Sequence, residues 1–209
     1  MTLHEYIECA ILPQYDNFDG GHQRDHAQTV IAESIKLART NHADEQMAYV
    51  IAAYHDLGLR FDRETHHIHS GEILMADDNL RQWFTEDQID IMADAAEDHR
   101  ASSDHEPRSI YGRIVAEADR FIDADTIIRR TIQFGFDHYP SLSPDEHFQR
   151  MVSHLREKYG RGGYLHLWFD DSPNALRLKH LQDIIDDKEA LQRLFNQYFK
   201  QEKNEHSKA

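Results

Sequence analysis

The sequence is poor in the residues that interrupt helices or staple small folds. Its 209 residues include five prolines, nine glycines and a single cysteine, Cys9. One cysteine excludes an internal disulfide framework and fits a reducing compartment, so we expect a cytoplasmic location. The chain also lacks any run approaching the ~18 apolar residues of a membrane-spanning helix. The opening stretch, MTLHEYIECA, has no basic segment of the kind that begins a secretory signal.

Positive charge is scarce as well. The chain has 23 Lys and Arg against 38 Asp and Glu, which gives a net charge of −15 at pH 7. Tight binding to duplex nucleic acid needs clustered cations that neutralise phosphates, and this balance argues against it. We therefore expect neither duplex nucleic acid nor a membrane as a partner, and the sequence leaves the oligomeric state open.

The long segments without Pro or Gly carry a helical period, with apolar residues recurring every three to four positions. Four such stripes are Ile31, Ile35 and Ala38; Met47, Val50, Ile51 and Tyr54; Ile89, Met92, Ala93 and Ala96; and Ile110, Ile114, Ala118, Phe121 and Ile122. Helix starts are marked by Thr85-Glu-Asp-Gln88, which matches a capping box, and by Ser143-Pro144. Alternating strand patterns are absent, so the sequence predicts an all-α fold.

Two segments interrupt the helical pattern, residues 135–146 and 160–176. They predict a helical core at 1–134 and a C-terminal helical extension at 135–209 that packs on the core. A chain of this length fits one structural domain overall. The last helix is expected at roughly 174–200 and is amphipathic.

The 16 histidines make nitrogen and oxygen metal chemistry the first kind to consider. The sharpest feature is His55-Asp56, which closes the apolar run AYVIAAY. A buried carboxylate needs a compensating cation or hydrogen bonds. A neutral histidine beside a helix-capping aspartate would also explain the dipeptide, so by itself it leaves both interpretations open.

Two further positions favour a metal. His22 and His26 are four residues apart, so a helix that includes both places them on one face. Asp119 lies on an apolar stripe, where a carboxylate suggests a metal or an arginine partner. Together the candidate ligands are His26, His55, Asp56 and Asp119. Two imidazoles and two carboxylates suit a divalent ion such as Mn, Fe, Co, Ni or Mg, whereas a structural zinc site would normally include thiolates.

The order His…His-Asp…Asp resembles the HD-domain metal-dependent phosphohydrolase superfamily. The resemblance rests on GHQRDHAQTV (21–30), AYHDLG (53–58) and AEADRF (116–121), and covers about residues 20–125. It implies an HD-domain-like helical bundle and a metal held by the four candidate ligands, one ion being favoured over two. It also implies that metal-activated water hydrolyses a phosphate ester or anhydride of a small molecule, with a nucleotide among the candidates.

Further positions match extended forms of the family pattern. His67, in HIHSG (67–71), and His99, in AAEDHRAS (95–102), would serve as second-metal ligands or in proton transfer. His66, His69 and His105 lie nearby and leave open which histidine faces the pocket. Many family members have a lysine where this chain has Leu59. Arg60 and Arg63 are the candidates to bind substrate phosphate here, because a guanidinium donates two parallel hydrogen bonds, and a role as solvated loop charges stays open for both.

Two alternative functions remain open on the same scaffold. Some relatives of the superfamily are di-iron oxygenases, and a matching ligand set here would be His26, His55, His67, His99, Asp56 and Asp119. A non-catalytic nucleotide-binding sensor is the other alternative. Retention of every core ligand argues against the sensor, because a degraded site would be its expected mark.

Overall fold

A computed structural model describes residues 1–18, 24–101, 103 and 105–206 of the chain. The described residues form helices and no strands, which confirms the all-α prediction. None of their helices combines the length and apolar character needed to cross a bilayer. His22, which was expected to share a helix face with His26, lies outside the described residues.

Ten α-helices follow one another in the described ranges. They are α1 (Leu3–Tyr6), α2 (Arg24–Thr40), α3 (Glu45–Tyr54), α4 (His66–Met75), α5 (Glu86–Glu97), α6 (Ile110–Ala118), α7 (Ala124–His138), α8 (Pro144–Tyr159), α9 (Pro173–Asp186) and α10 (Lys188–His206). A π-helix (Ile7–Ile11) and three 3₁₀-helices (Leu12–Asn17, Leu57–Arg60 and Asp78–Gln82) lie between them.

The chain divides into two compact units, Met1–Arg120 and Phe121–Ala209. The interruption at residues 135–146 predicts a division after residue 134 instead, and that boundary stays a prediction. Residue 134 itself falls inside α7.

In the first unit, α3 is the central helix, and α2, α4, α5 and α6 pack against it. All residues from Met47 to Tyr54 are buried, because this stretch is apolar nearly all round and leaves no polar face for water. Asp44 caps the start of the helix by accepting from the backbone N–H groups of Gln46 and Met47. The C-terminal end of α3 lies in the interior of the unit, where Tyr54 and His55 are fully buried.

The second unit contains α7 to α10 around its own apolar core. Buried members of this core include Ile128, Met151, Leu155, Leu181 and Phe195. The single helix expected at roughly 174–200 is in fact two, α9 and α10. Asp187 has an extended backbone and its side chain accepts from the backbone N–H groups of Glu189 and Ala190, so it ends one helix and caps the next.

Two helix starts agree with the sequence analysis. Thr85 and Gln88 form a reciprocal capping box at α5, and Ser143 and Glu146 form another at α8. Pro144 occupies the first turn of α8, where its missing N–H costs nothing. These local signals were readable because each depends on residues only three positions apart.

Candidate metal centre

The His55-Asp56 pair lies in a break between two helices. Helix α3 ends at Tyr54, and the 3₁₀-helix Leu57–Arg60 follows. Gly58 packs directly on the start of α4: a Cβ there would lie 1.9 Å from the carbonyl oxygen of His66. The Gly58 N–H also donates to Ser70 Oγ at 3.0 Å. A glycine at this position thus lets α4, and with it His66, approach the pair.

The four predicted ligands come together although they are far apart in the chain. His26 Nε2 lies 3.1 Å from Asp119 Oδ1 and 3.6 Å from Asp56 Oδ2. His55 Nε2 lies 3.3 Å from Asp56 Oδ2 and 3.7 Å from Asp119 Oδ1. We call these four residues the first group. Asp119 belongs to the C-cap of α6 rather than to its interior, because that helix ends at Ala118 and not, as its apolar stripe suggested, at Ile122.

A second group shares Asp56 with the first. Asp56 Oδ1 lies 3.5 Å from His66 Nε2 and 3.5 Å from His99 Nε2. The two imidazoles also face each other, with 3.1 Å between their Nε2 atoms. Since Oδ2 points to the first group and Oδ1 to the second, a single carboxylate connects two sets of potential metal ligands.

Three of these histidines are oriented in the same way. In each, Nδ1 lies within hydrogen-bond distance of the main-chain carbonyl three residues earlier. The pairs are His55 with Ala52 (2.7 Å), His66 with Arg63 (2.9 Å) and His99 with Ala96 (2.6 Å). A carbonyl only accepts, so Nδ1 carries the hydrogen and the neutral ring presents the lone pair of Nε2 to the centre.

This donor set fits a cation. Lone pairs of Nε2 atoms and carboxylate oxygens converge, and within the described ranges no hydrogen-bond donor reaches the buried Nε2 of His55. Electron-pair donors packed this closely need a positive charge between them. Imidazole nitrogen and carboxylate oxygen without thiolate match Mn, Fe, Co, Ni or Mg better than a structural zinc.

Without a metal, protons supply that positive charge. Burial opposes protonation of His26, but the carboxylates of Asp119 and Asp56 outweigh it and raise its pKa to about 9. The pKa of His55 is raised in the same way, against its complete burial, chiefly by Asp56. Burial opposes ionisation of Asp56 and Asp119, yet the neighbouring imidazoles hold the pKa of each carboxyl below its usual range. A metal ion therefore competes with protons for these groups.

The structure turns His66, and not the predicted His67, toward the centre. Adjacent residues on a helix point about 100° apart, so only one of the two can reach Asp56. His67 Nδ1 instead lies 3.4 Å from Arg100 Nη1. Burial, together with the charge of Arg100, lowers the pKa of His67 to about 4.

Other candidate histidines have partners elsewhere. His69 pairs with Glu72 at 2.8 Å, and His105 Nδ1 lies 3.0 Å from the carbonyl oxygen of Glu106. Of the histidines left open by the sequence analysis, His66 and His99 are thus the two beside Asp56. His99 lies two residues beyond the end of α5 at Glu97.

Arg60 and Arg63 line a cleft of about 470 Å³ with Asn17, Phe18 and Leu59. A volume of this size is typical of small-molecule sites. The Leu59 N–H donates to the carbonyl oxygen of Asp56 at 3.0 Å, which joins the cleft wall to the candidate metal ligands. The Arg60 guanidinium lies 4.9 Å from the centre of the Phe61 ring and 3.4 Å from Gln14 Oε1, so it is held by weak contacts at the surface.

Comparison with protein-family models matches residues 24–123 to the HD domain. This segment, slightly less than half of the chain, is therefore similar to the domain of the HD-domain proteins. These proteins are generally metal-dependent hydrolases and bind divalent metals. All six residues of the two groups lie inside the matched segment, whereas Asn17 and Phe18 precede it. Comparisons with curated proteins and with solved structures give no match.

Proposed function

We propose that this protein is a metal-dependent phosphohydrolase that cleaves a phosphate ester or anhydride of a small molecule, with nucleotides among the candidate substrates. The observation that supports the proposal is the convergence of nitrogen and oxygen lone pairs beside a cleft that contains two arginines. A divalent ion held there would supply Lewis acidity and water of lowered pKa.

The first group, His26, His55, Asp56 and Asp119, would hold one ion. Its side chains differ in access: His55 is fully buried, whereas 23% of His26 and 27% of Asp119 remain exposed. The group is thus anchored from inside and open on the side of His26 and Asp119. We expect substrate and water to reach the ion from that side, where the two side chains are partly exposed, although the His26 Nε2 atom itself is buried.

The second group supports a second ion, in place of the single ion favoured by the sequence. Asp56 would bridge the two positions, and His66 and His99 would complete the second. Carboxylate bridges of this kind suit two-metal sites, where paired ions bind the attacking and leaving oxygens of a displacement.

The two arginines would bind and orient the phosphate. A guanidinium matches phosphate oxygens with two parallel hydrogen bonds, and its charge attracts the phosphate of the bound substrate. The net charge of −15 repels anionic substrates at a distance. Within a Debye length of about 8 Å, however, a local cation pair dominates.

The test begins with elemental analysis of the purified protein, followed by a screen of phosphorylated metabolites and an aryl phosphate. Asp56→Ala should abolish both bound metal and phosphatase activity, because this carboxylate serves both groups. Asp78→Ala is the matched control, since that aspartate side chain is 94% exposed and pairs with Arg81. An Asp56→Ala variant with unchanged metal content would contradict the assignment.

The shared carboxylate also supports a second candidate function, a di-iron oxygenase. Its ligands would be the six residues of the two groups, in which His66 takes the place that was predicted for His67. Iron at two atoms per chain, together with substrate-dependent O₂ consumption and no phosphate release, would select it over hydrolysis. Tight nucleotide binding without turnover under any divalent metal would instead favour the sensor.

A further inference from the structure

Tyr15 contacts the centre from outside the HD domain. It lies in the 3₁₀-helix Leu12–Asn17, ahead of the matched segment that begins at residue 24. Its side chain is completely buried, and its ring lies 6.4 Å from that of His55 at an angle of 30°. The hydroxyl of a buried tyrosine usually forms hydrogen bonds with protein groups.

The Tyr15 hydroxyl bonds to the backbone on both sides of the metal ligands. It donates to the carbonyl oxygen of Ala53 at 3.0 Å and accepts from the N–H of Asp56 at 3.3 Å. These backbone groups flank the point where α3 ends, and helix ends leave such groups without intrahelical partners. One hydroxyl thus bridges the break that turns His55 and Asp56 toward the centre.

The same N-terminal segment forms part of the cleft. Asn17 and Phe18 line it together with residues that follow Asp56, and the rings of Tyr15 and Phe18 are 5.3 Å apart. The buried tyrosine therefore joins two features, the orientation of the ligand pair and one wall of the substrate cleft.

We propose that Tyr15 is a positioning residue for His55 and Asp56, so that the segment before the HD domain completes the metal centre. The inference rests on the proposed metal centre for its effect on metal affinity. The hydroxyl touches neither metal nor substrate. It acts by holding the backbone from which the ligands project, as outer contacts of metal sites commonly do.

Tyr15→Phe tests the proposal because it removes only the hydroxyl. The matched control is Tyr49→Phe, since Tyr49 is also buried, lies on α3, and its hydroxyl has no hydrogen bond among the described residues. Three quantities are measured at a temperature where all variants are folded: amide hydrogen exchange of Asp56 in the metal-free protein, the affinity for Co²⁺, and the visible absorption spectrum of bound Co²⁺.

Tyr15→Phe should lose the protection of the Asp56 amide, bind Co²⁺ at least about tenfold more weakly and alter the Co²⁺ spectrum. Tyr49→Phe should change none of these. A Tyr15→Phe protein that only melts earlier, with wild-type Co²⁺ affinity and spectrum, would overturn the proposal. Retained protection of the Asp56 amide would overturn it as well.

The design separates this inference from the proposed function. Wild-type protein that binds no Co²⁺ would end the proposed metal chemistry, while loss of Asp56 protection in Tyr15→Phe would still establish the positioning role. If Tyr15→Phe does not fold, the wild type decides: we expect a nuclear Overhauser contact between the Tyr15 hydroxyl proton and the Asp56 amide proton. Its absence would refute the bridge.

Discussion

Replacing His66 with alanine should remove one of two bound metal ions, whereas replacing its neighbour His67 should remove none. His66 Nε2 lies 3.5 Å from Asp56 Oδ1 and 3.1 Å from His99 Nε2, so it is one of three donors in the second group. His67 lies beside Arg100 instead. The same substitution at two adjacent histidines, one beside Asp56 and one beside Arg100, therefore serves as a test and its matched control.

The magnitude follows from the number of donors lost. Mutation of a residue that merely supports a ligand costs about 10- to 100-fold in metal affinity, so loss of a direct donor among three should exceed about 100-fold for the second ion. The first group, centred on His26 and His55, should keep its ion. His67→Ala should stay within about threefold of the wild type.

The assay is metal stoichiometry after removal of metal with a chelator and titration with Mn²⁺, read by elemental analysis of the protein freed of unbound ion. The expected ratios are two ions per chain for the wild type and for His67→Ala, and one for His66→Ala. Two ions retained by His66→Ala, or an ion lost by His67→Ala, would refute the assignment of the second group.

Three further predictions address the cleft, the turn and the proton competition. Arg60→Ala should raise KM about tenfold at nearly constant kcat, as expected for lost phosphate binding; steady-state kinetics showing both constants unchanged would make Arg60 an ordinary surface charge. Gly58→Ala should lower the free energy of unfolding by at least about 2 kcal/mol, because its Cβ would meet backbone of His66; urea denaturation with a wild-type midpoint would contradict this close approach. In the metal-free protein, the pKa of His26 is about 9 against 6.5 for an ordinary histidine. Protonation of His26 therefore stabilises the fold fully below pH 6.5, by at most about 3 kcal/mol, and this contribution disappears as the pH rises through 9. Denaturation of wild type and His26→Ala between pH 6 and 9.5 measures it, and parallel pH profiles would argue against it.

The helical fold was predictable because its signals are local. Capping boxes at Thr85 and Ser143 and the apolar stripes depend on residues within one or two turns. The break between α9 and α10 was not predicted. Asp187 ends one helix and caps the next within a single residue, so the apolar period is hardly interrupted.

The convergence of the first group was predictable from order and residue type, because His26, the His55-Asp56 pair and Asp119 resemble a known family pattern. Their role as metal ligands stays a prediction. The choice between His66 and His67 was not. It depends on where α4 begins and on how closely Gly58 lets that helix approach, and both are set by tertiary packing. Tyr15 carried no sequence signal at all, since its role arises from two backbone groups some 40 positions away in the chain.

Hydrogen bonds to main-chain carbonyl oxygens orient the imidazoles of His55, His66 and His99, and this has a consequence for how the protein takes up metal. Each ring is hydrogen-bonded to the main chain three residues earlier. The loss of side-chain conformational entropy that fixes the ring toward the centre therefore occurs when the chain folds, before any metal binds. Binding of an ion then displaces protons from side chains that are already in place. Zinc fingers differ, because they fold only when they bind the metal. The protein should accordingly keep its helical content under chelation, and loading and unloading should be reversible without refolding.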